Sequence, residues 1–321
     1  MTSKSVSRKP QTEEFESKVI RHPWFKQAYQ IIEQVHLTYS PLSSPPGAIT
    51  YLIGGAEPEG AVILGDTGSG KTTVLQYYCK QHAVSATKES EKNKVLYVPI
   101  PPKATTKKVV KRMLFLLGRT EKLTGNEDDL VLELHRLMWE LGTELIIFDE
   151  INHLLPRNAG RSTVDICDFF KSLMNDTKIP LVLAGTLKSK AVLLSNDELA
   201  DRLNAVQYLN YFTLPKRGEK TNHFKAYMQG IEQVIPVEGI SLTSAEMLKR
   251  FFVASSGIPR RIARIVTETM QYADLSAPLA MSDYHRGYTK ALRARALKPN
   301  PFDANYKAAE IIQAHRKKDK K

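Results

Sequence analysis

The chain has 321 residues, 42% of them hydrophobic and 25% charged, which suits a globular protein of one large or two modest domains. Its formal net charge of +12 is high, and eleven basic against three acidic residues fall between Arg286 and Lys321, an excess that points to a polyanionic partner such as nucleic acid. Two cysteines, Cys79 and Cys167, exclude a disulfide framework or a zinc site. The absence of a long apolar run or a signal-peptide core excludes membrane and export, so a cytoplasmic protein is expected.

In chain order, residues 1–12 are polar and basic and read as a disordered arm. From Glu13 to Tyr39, the apolar positions Phe15, Val19, Ile20, Phe25, Tyr29, Ile32 and Val35 predict helices broken at His22-Pro23. A Pro-, Ser- and Gly-rich loop runs from Ser40 to Gly47. Strand patterns follow at Ala61–Leu64, Val95–Ile100, Leu145–Phe148, Leu181–Ala184 and Ala205–Leu214. Between them lie helix patterns at Thr72–Gln81, Lys107–Leu117, Asp129–Leu141 and Val164–Asn175. This alternation predicts an α/β fold with a mostly parallel sheet covered on both faces. After Pro215 the strand signals stop. Arg217–Gln229, Thr243–Ala254, Pro259–Tyr272 and Ser282–Leu297 read as the helices of a second domain.

The densest chemistry is Gly65-Asp66-Thr67-Gly68-Ser69-Gly70-Lys71-Thr72-Thr73, between the first strand and helix patterns. Gly65, Gly70, Lys71 and Thr72 hold the fixed positions of a phosphate loop. Glycines let successive N–H groups and the helix N-terminus face phosphate oxygens. Lys71 would reach the β and γ phosphates, and the Thr72 hydroxyl would hold Mg²⁺. A bare glycine-rich turn would not need Lys-Thr directly after its last glycine, so the chain is expected to bind ATP with Mg²⁺. The apolar strand Leu145–Phe148 runs into two carboxylates. Asp149 would join the Mg²⁺ shell, directly or through water, and Glu150 would orient and deprotonate the attacking water. Glu after Asp favours an ATPase over a small-molecule kinase.

Three further residues are candidates. Thr186, at the end of the Leu181–Ala184 strand pattern, would sit between the loop and the Asp-Glu pair and sense the γ-phosphate or place the water. Arg202 closes a helix before the last strand and would reach a neighbouring subunit's γ-phosphate; nearby Asp197, Glu198 and Asp201 also suit a surface ion pair. Arg260, in Gly257-Ile258-Pro259-Arg260, opens a helix of the second domain and would reach the nucleotide from there.

This order of motifs resembles the AAA+ ATPases of the initiator-like kind, and within them the TniB/TnsC family of transposition regulators. The resemblance covers about Val19 to Leu297 and includes Arg21-His22-Pro23, which in this family lies near the nucleotide base and adds His22 and Pro23 to the nucleotide-contacting residues. It implies a AAA+ P-loop fold with a five-stranded parallel sheet and a C-terminal all-helical lid. The expected divisions are an arm at 1–12, an α/β nucleotide domain with a helical extension at 13–214, the lid at 215–298 and a basic tail at 299–321. It further implies assembly on duplex DNA as a ring or helical filament of about six or seven subunits per ring or turn. Contacts to a target selector and a TnsB-type transposase, and disassembly on ATP hydrolysis, are implied as well. Asp66 in the loop and Thr186 at the strand end depart from the commoner small residue and Asn.

The segment Lys103–Arg112 holds five cations and no acid and enters a helix after Pro99 and Pro101-Pro102. At that place in a AAA+ ring, loops point into the pore. Lys103, Thr105 and Thr106, with Lys107, Lys111 and Arg119 behind them, are therefore expected to meet DNA phosphates without reading bases. Asn300-Pro301-Phe302 reads either as an anchor for a partner or as a plain chain end. Two other functions share these motifs: a helicase loader or replication-initiator relative, and a nucleotide-controlled binding adaptor without significant turnover.

Overall fold

The computed structural model describes residues 9–39, 57–83, 94–120, 124–155, 161–193, 196–216, 219, 222–292, 299–305, 307 and 310. Of the arm expected to be disordered over 1–12, residues 1–8 lie outside them, as do the 40–47 loop and the basic tail beyond 310, whereas Pro10 to Thr12 are ordered as the first turn of a helix, with Thr12 buried. The first elements are helices α1 (Pro10–Ser17) and α2 (Pro23–Leu37), separated at His22-Pro23 as expected. Then come β1 (Ala61–Leu64), α3 (Lys71–Gln81), β2 (Val95–Pro99), α4 (Thr106–Leu116), α5 (Glu127–Glu140) and β3 (Leu145–Asp149). These are followed by α6 (Arg161–Thr177), β4 (Leu181–Gly185), α7 (Lys190–Leu193), α8 (Asp197–Arg202) and β5 (Ala205–Tyr208). The last helices are α9 (His223–Val234), α10 (Ala245–Ser255), α11 (Pro259–Tyr272) and α12 (Met281–Leu292).

The described chain falls into two compact units, one of residues 27–67 and 71–209, the other of residues 1–26, 68–70 and 210–321. In the first, the strands form one parallel sheet in the order β2-β3-β4-β1-β5. The chain leaves β1 for the far edge, returns through β3 and β4 to lie beside β1, and then places β5 on its other side. Strands β1, β3 and β4 are buried along their whole length, as strands covered on both faces must be, and read as unbroken apolar runs. The edge strands β2 and β5 are partly exposed. The core joins Val62, Leu64, Val98, Ile146 and Phe148 of the sheet to Val110 and Met113 of α4, Leu134 of α5 and Phe170 of α6. Helix starts are fixed by side chains: Thr105 caps α4, and Asn126 and Asp129 form a reciprocal capping box on α5.

Strand β5 stops at Tyr208 rather than reaching Leu214. Its only strand partner among the described residues, β1, is spent at Leu64, where the phosphate loop begins, and the last bond is Leu209 N–H to the Leu64 carbonyl at 2.7 Å. Helix α9 likewise begins at His223 rather than Arg217, where Asn222 accepts from the Lys225 N–H at 3.0 Å.

The second unit is helical. In α11 the buried positions Ile262, Ile265, Val266, Thr269 and Met270 make one apolar stripe. Gly287 lets α12 lie close against it: a Cβ there would stand 2.1 Å from Thr269 Oγ1. Phe15, Phe212, Phe224 and Phe251 share the core. Phe302 is buried against Phe251, Tyr284 and Tyr288. The buried Arg250 donates to the carbonyls of Pro301 at 2.6 Å and Asp303 at 3.0 Å. Phe302 therefore anchors the chain to its own core and is not offered to a partner.

Candidate nucleotide site

The loop after β1 is built on two positive-φ glycines, Gly68 at 87° and Gly70 at 103°. A Cβ on Gly70 would meet nothing within 4 Å, so glycine is needed there for its backbone and not for space. The Lys71 ammonium is buried and donates to the carbonyls of Gly65 at 2.6 Å and Asp66 at 3.3 Å. Ser69 Oγ is buried without a hydrogen-bond partner. Thr73 follows Thr72 in the first turn of α3, while Thr67 leads into the Gly68 turn.

Because β4 lies between β1 and β3, the ends of these three strands carry the loop, Thr186 and Asp149-Glu150 in one row. Asp149 is almost wholly buried. Its Oδ2 accepts from Thr72 Oγ1 at 2.8 Å and from the Tyr97 hydroxyl at 2.7 Å, and its Oδ1 accepts from the Glu150 N–H at 2.8 Å. Glu150 has left-handed backbone, φ 61° and ψ 37°, and its Oε2 accepts from Asn152 Nδ2 at 3.1 Å. Next to it, His153 Nδ1 donates to the Ile100 carbonyl at 2.7 Å, at the root of the Lys103 loop. Thr186 Oγ1 lies 3.5 Å from Ser189 Oγ.

These groups fit a nucleoside triphosphate and Mg²⁺. An ammonium, two hydroxyls, glycine N–H groups and a helix start suit phosphate oxygens. The Thr72 hydroxyl and the Asp149 carboxylate suit a hard cation that keeps part of its water. Among the described residues no cluster of three or more His, Cys, Asp or Glu is placed to hold a metal without such help. A separate cavity of about 770 Å³ in the same unit is lined by Glu33, Glu140 and Glu144 among aromatic rings, a charge that repels phosphate.

The remaining sequence candidates are placed as follows. Arg202 is committed within its own unit: Nη1 donates to Asn175 Oδ1, and Nη2 lies 3.7 Å from Glu57 Oε1. The Arg260 N–H donates to the Gly68 carbonyl at 3.2 Å, and its side chain is exposed. A Cβ on Gly68 would come within 3.1 Å of Ile258 and 3.3 Å of Arg260, so this glycine permits that approach. His22 is buried in an aromatic cluster of Phe25, Phe212 and Tyr227, with Nδ1 unpartnered. Burial, and then the nearby His223, lower its pKa to about 4. Pro23 opens α2.

In the basic segment Lys103 is exposed and left-handed, φ 54°. Thr105 is the N-cap of α4, and Thr106 is its first residue. Lys107 donates to the Gly125 carbonyl at 2.9 Å, and Arg119 pairs with Glu133. Lys111 lies half-buried on the same helix. Sequence reasoning missed Tyr97, Asn152 and Asn175. The available signal was a tyrosine in a strand adjoining one that ends in a carboxylate.

A family model described as bacterial TniB protein matches residues 54–212. Among solved structures the chain is similar to Cdc6p from Pyrobaculum aerophilum, with a TM-score of 0.58 and 15% identity over 88% of this chain and 71% of that one. It is similar to the ORC2 protein of Aeropyrum pernix in its ADPNP–ADP complexes, at 0.55 and 13% over 88% and 72%. The A. pernix ORC1 protein in complex with DNA gives 0.55 and 14% over 86% and 66%. At such identities the likeness is one of fold, the AAA+ ATPase fold. No curated protein sequence matches the chain.

Proposed function

We propose, from the match of residues 54–212 to the bacterial TniB family model, that the chain is an ATP-dependent regulator of transposition in the bacterial cytoplasm. It binds duplex DNA, assembles there with copies of itself in a ring or helical filament, and links a target selector to a transposase. ATP hydrolysis takes the assembly apart. The observation that carries the reading is the hydrogen bond from Thr72 to Asp149, with Glu150 beside it. It brings the ends of two non-adjacent strands to one point, which a nucleotide-hydrolysing site requires and a bare structural turn does not.

In this reading Lys71 and the loop N–H groups of Gly68, Ser69 and Gly70 hold the phosphates, and Thr72 and Asp149 hold Mg²⁺. When bound, Mg²⁺ neutralises charge on the phosphate oxygens. Glu150 leaves Asn152, aligns a water in line with the γ-phosphate and accepts its proton. Thr186 orients that water from β4. Arg260 contacts the triphosphate, and His22 and Pro23 stand by the base. Arg202 exchanges Asn175 and Glu57 for the γ-phosphate held by a neighbouring copy. Lys103, Thr105 and Thr106 meet DNA phosphates first, and Lys107, Lys111 and Arg119 add to them.

A binding adaptor with negligible turnover is the second reading, favoured by the engagement of Glu150 with Asn152. ATP hydrolysis by the purified chain, with and without duplex DNA, tests the two. Lys71→Ala is expected to lose nucleotide binding and Glu150→Gln to lose turnover alone. Hydrolysis that both variants retain overturns the assignment of the site.

A further inference from the structure

Tyr97 lies on β2, opposite Ile147 of β3 and two residues before Pro99, which faces Asp149. Its hydroxyl donates to the same oxygen of Asp149 that accepts from Thr72, at 2.7 and 2.8 Å. Beside the hydroxyl lies Gln76, which follows Thr72 by four residues and so shares its face of α3. Thr72 of α3 and Tyr97 of β2 thus meet on one oxygen of Asp149 at the end of β3, while its second oxygen is held by the Glu150 N–H.

We propose that Tyr97 is a positioning residue for the divalent cation of the nucleotide site, an inference that rests on the nucleotide reading above. The carboxylate of Asp149 turns about one soft torsion, and two donors on one oxygen stop that rotation. The Thr72 hydroxyl ties α3 to the same oxygen, so the spacing between the Thr72 oxygen and the Asp149 carboxylate is set before any cation arrives. Groups that orient metal-holding side chains in this way strongly affect metal affinity. Its hydroxyl donates to Asp149, which the reading above gives to the cation and not to phosphate, so its effect is expected on the cation.

The test is Tyr97→Phe in the full chain, which deletes one oxygen and keeps the ring. Affinity for a fluorescent ATP analogue is measured in excess EDTA and across a Mg²⁺ titration. Binding in EDTA is expected to match the unsubstituted chain, while the Mg²⁺ concentration at the titration midpoint rises about tenfold. Gln76→Ala, which leaves the Tyr97–Asp149 bond but removes the side chain beside the hydroxyl, is expected to shift the midpoint less in the same direction. It serves as the test if Tyr97→Phe fails to fold. An unchanged midpoint overturns the proposal, as does an equal loss with and without Mg²⁺, which marks a purely structural role. If the unsubstituted chain itself does not bind the analogue, the nucleotide reading falls and this inference with it; binding with the same Mg²⁺ response in both proteins sinks only the role of Tyr97.

Discussion

Glu150 sits in left-handed backbone beside a buried aspartate, a conformation that costs a non-glycine residue about 1 kcal/mol or more. The N–H to Asp149 and the amide of Asn152 hold it there. Glu150→Gln preserves that shape and removes the base, so turnover is expected to fall by on the order of a hundredfold or more. Nucleotide affinity is expected to be retained, as a fluorescent analogue would read. Undiminished turnover would remove Glu150 from the chemistry. Gly70→Ala meets no atom but forces φ to remain at 103° with a side chain. The predicted outcome is a nucleotide affinity at least about tenfold weaker with little change in melting temperature. The residues of these two predictions are legible in sequence, because phosphate and metal binding demand fixed residue types at fixed spacing. Tyr97, Asn152, Asn175 and Glu57 are not. Their roles depend on strand register and side-chain torsion, which no local pattern carries.

At the scale of elements, α11 begins where Gly257 lets the 212 segment lie against it. Phe212 donates its N–H to the Gly257 carbonyl at 2.8 Å, and a Cβ on Gly257 would stand 2.1 Å from the Phe212 carbonyl oxygen at φ 72°. Gly257→Ala therefore meets both strain and backbone collision. A destabilisation of about 3 kcal/mol or more, and a melting temperature lower by roughly 6–12 °C, is expected; a shift within 2 °C on the order of measurement error would contradict the packing. The same segment carries His22 among its aromatic partners. Its pKa is depressed, so the neutral imidazole suits the fold. The stability this gives is complete above the ordinary value of 6.5 and is lost as pH falls towards about 4, by about 3 kcal/mol at most. His223, stacked on Trp24, faces the same cluster and is itself depressed, chiefly by burial. His22→Phe is expected to melt less steeply with acid than the unsubstituted chain, the remaining slope coming from His36, His135 and His223. Equal slopes would place His22 outside the acid transition. The helices of this unit are legible from their apolar stripes and caps. That Phe15 and Phe302, nearly three hundred residues apart in sequence, enter one core is not, since separation in sequence hides contact between distant segments.

For the whole molecule the net charge of +12 suits the proposed duplex DNA partner, and the placement of charge ranks the expected contacts. Lys103 is exposed on a loop, whereas Lys107 and Arg119 are held by Gly125 and Glu133. Charge reversal at Lys103 is therefore expected to weaken duplex binding more than reversal at Lys107. It should also lower the salt slope of binding by about 1 to 2; an unchanged slope would place the DNA elsewhere. The parallel sheet was legible from the alternation of strand and helix patterns, because a parallel pair needs a crossover between its strands. The proposed self-assembly has no such local signature, since Arg202 in the single chain is satisfied by its own neighbours. The most direct test of the central claim is particle imaging of the purified chain on duplex DNA, with and without a non-hydrolysable ATP analogue. Rings or filaments on DNA that form only with the analogue are the predicted result. Single nucleotide-bound chains indifferent to DNA would contradict it.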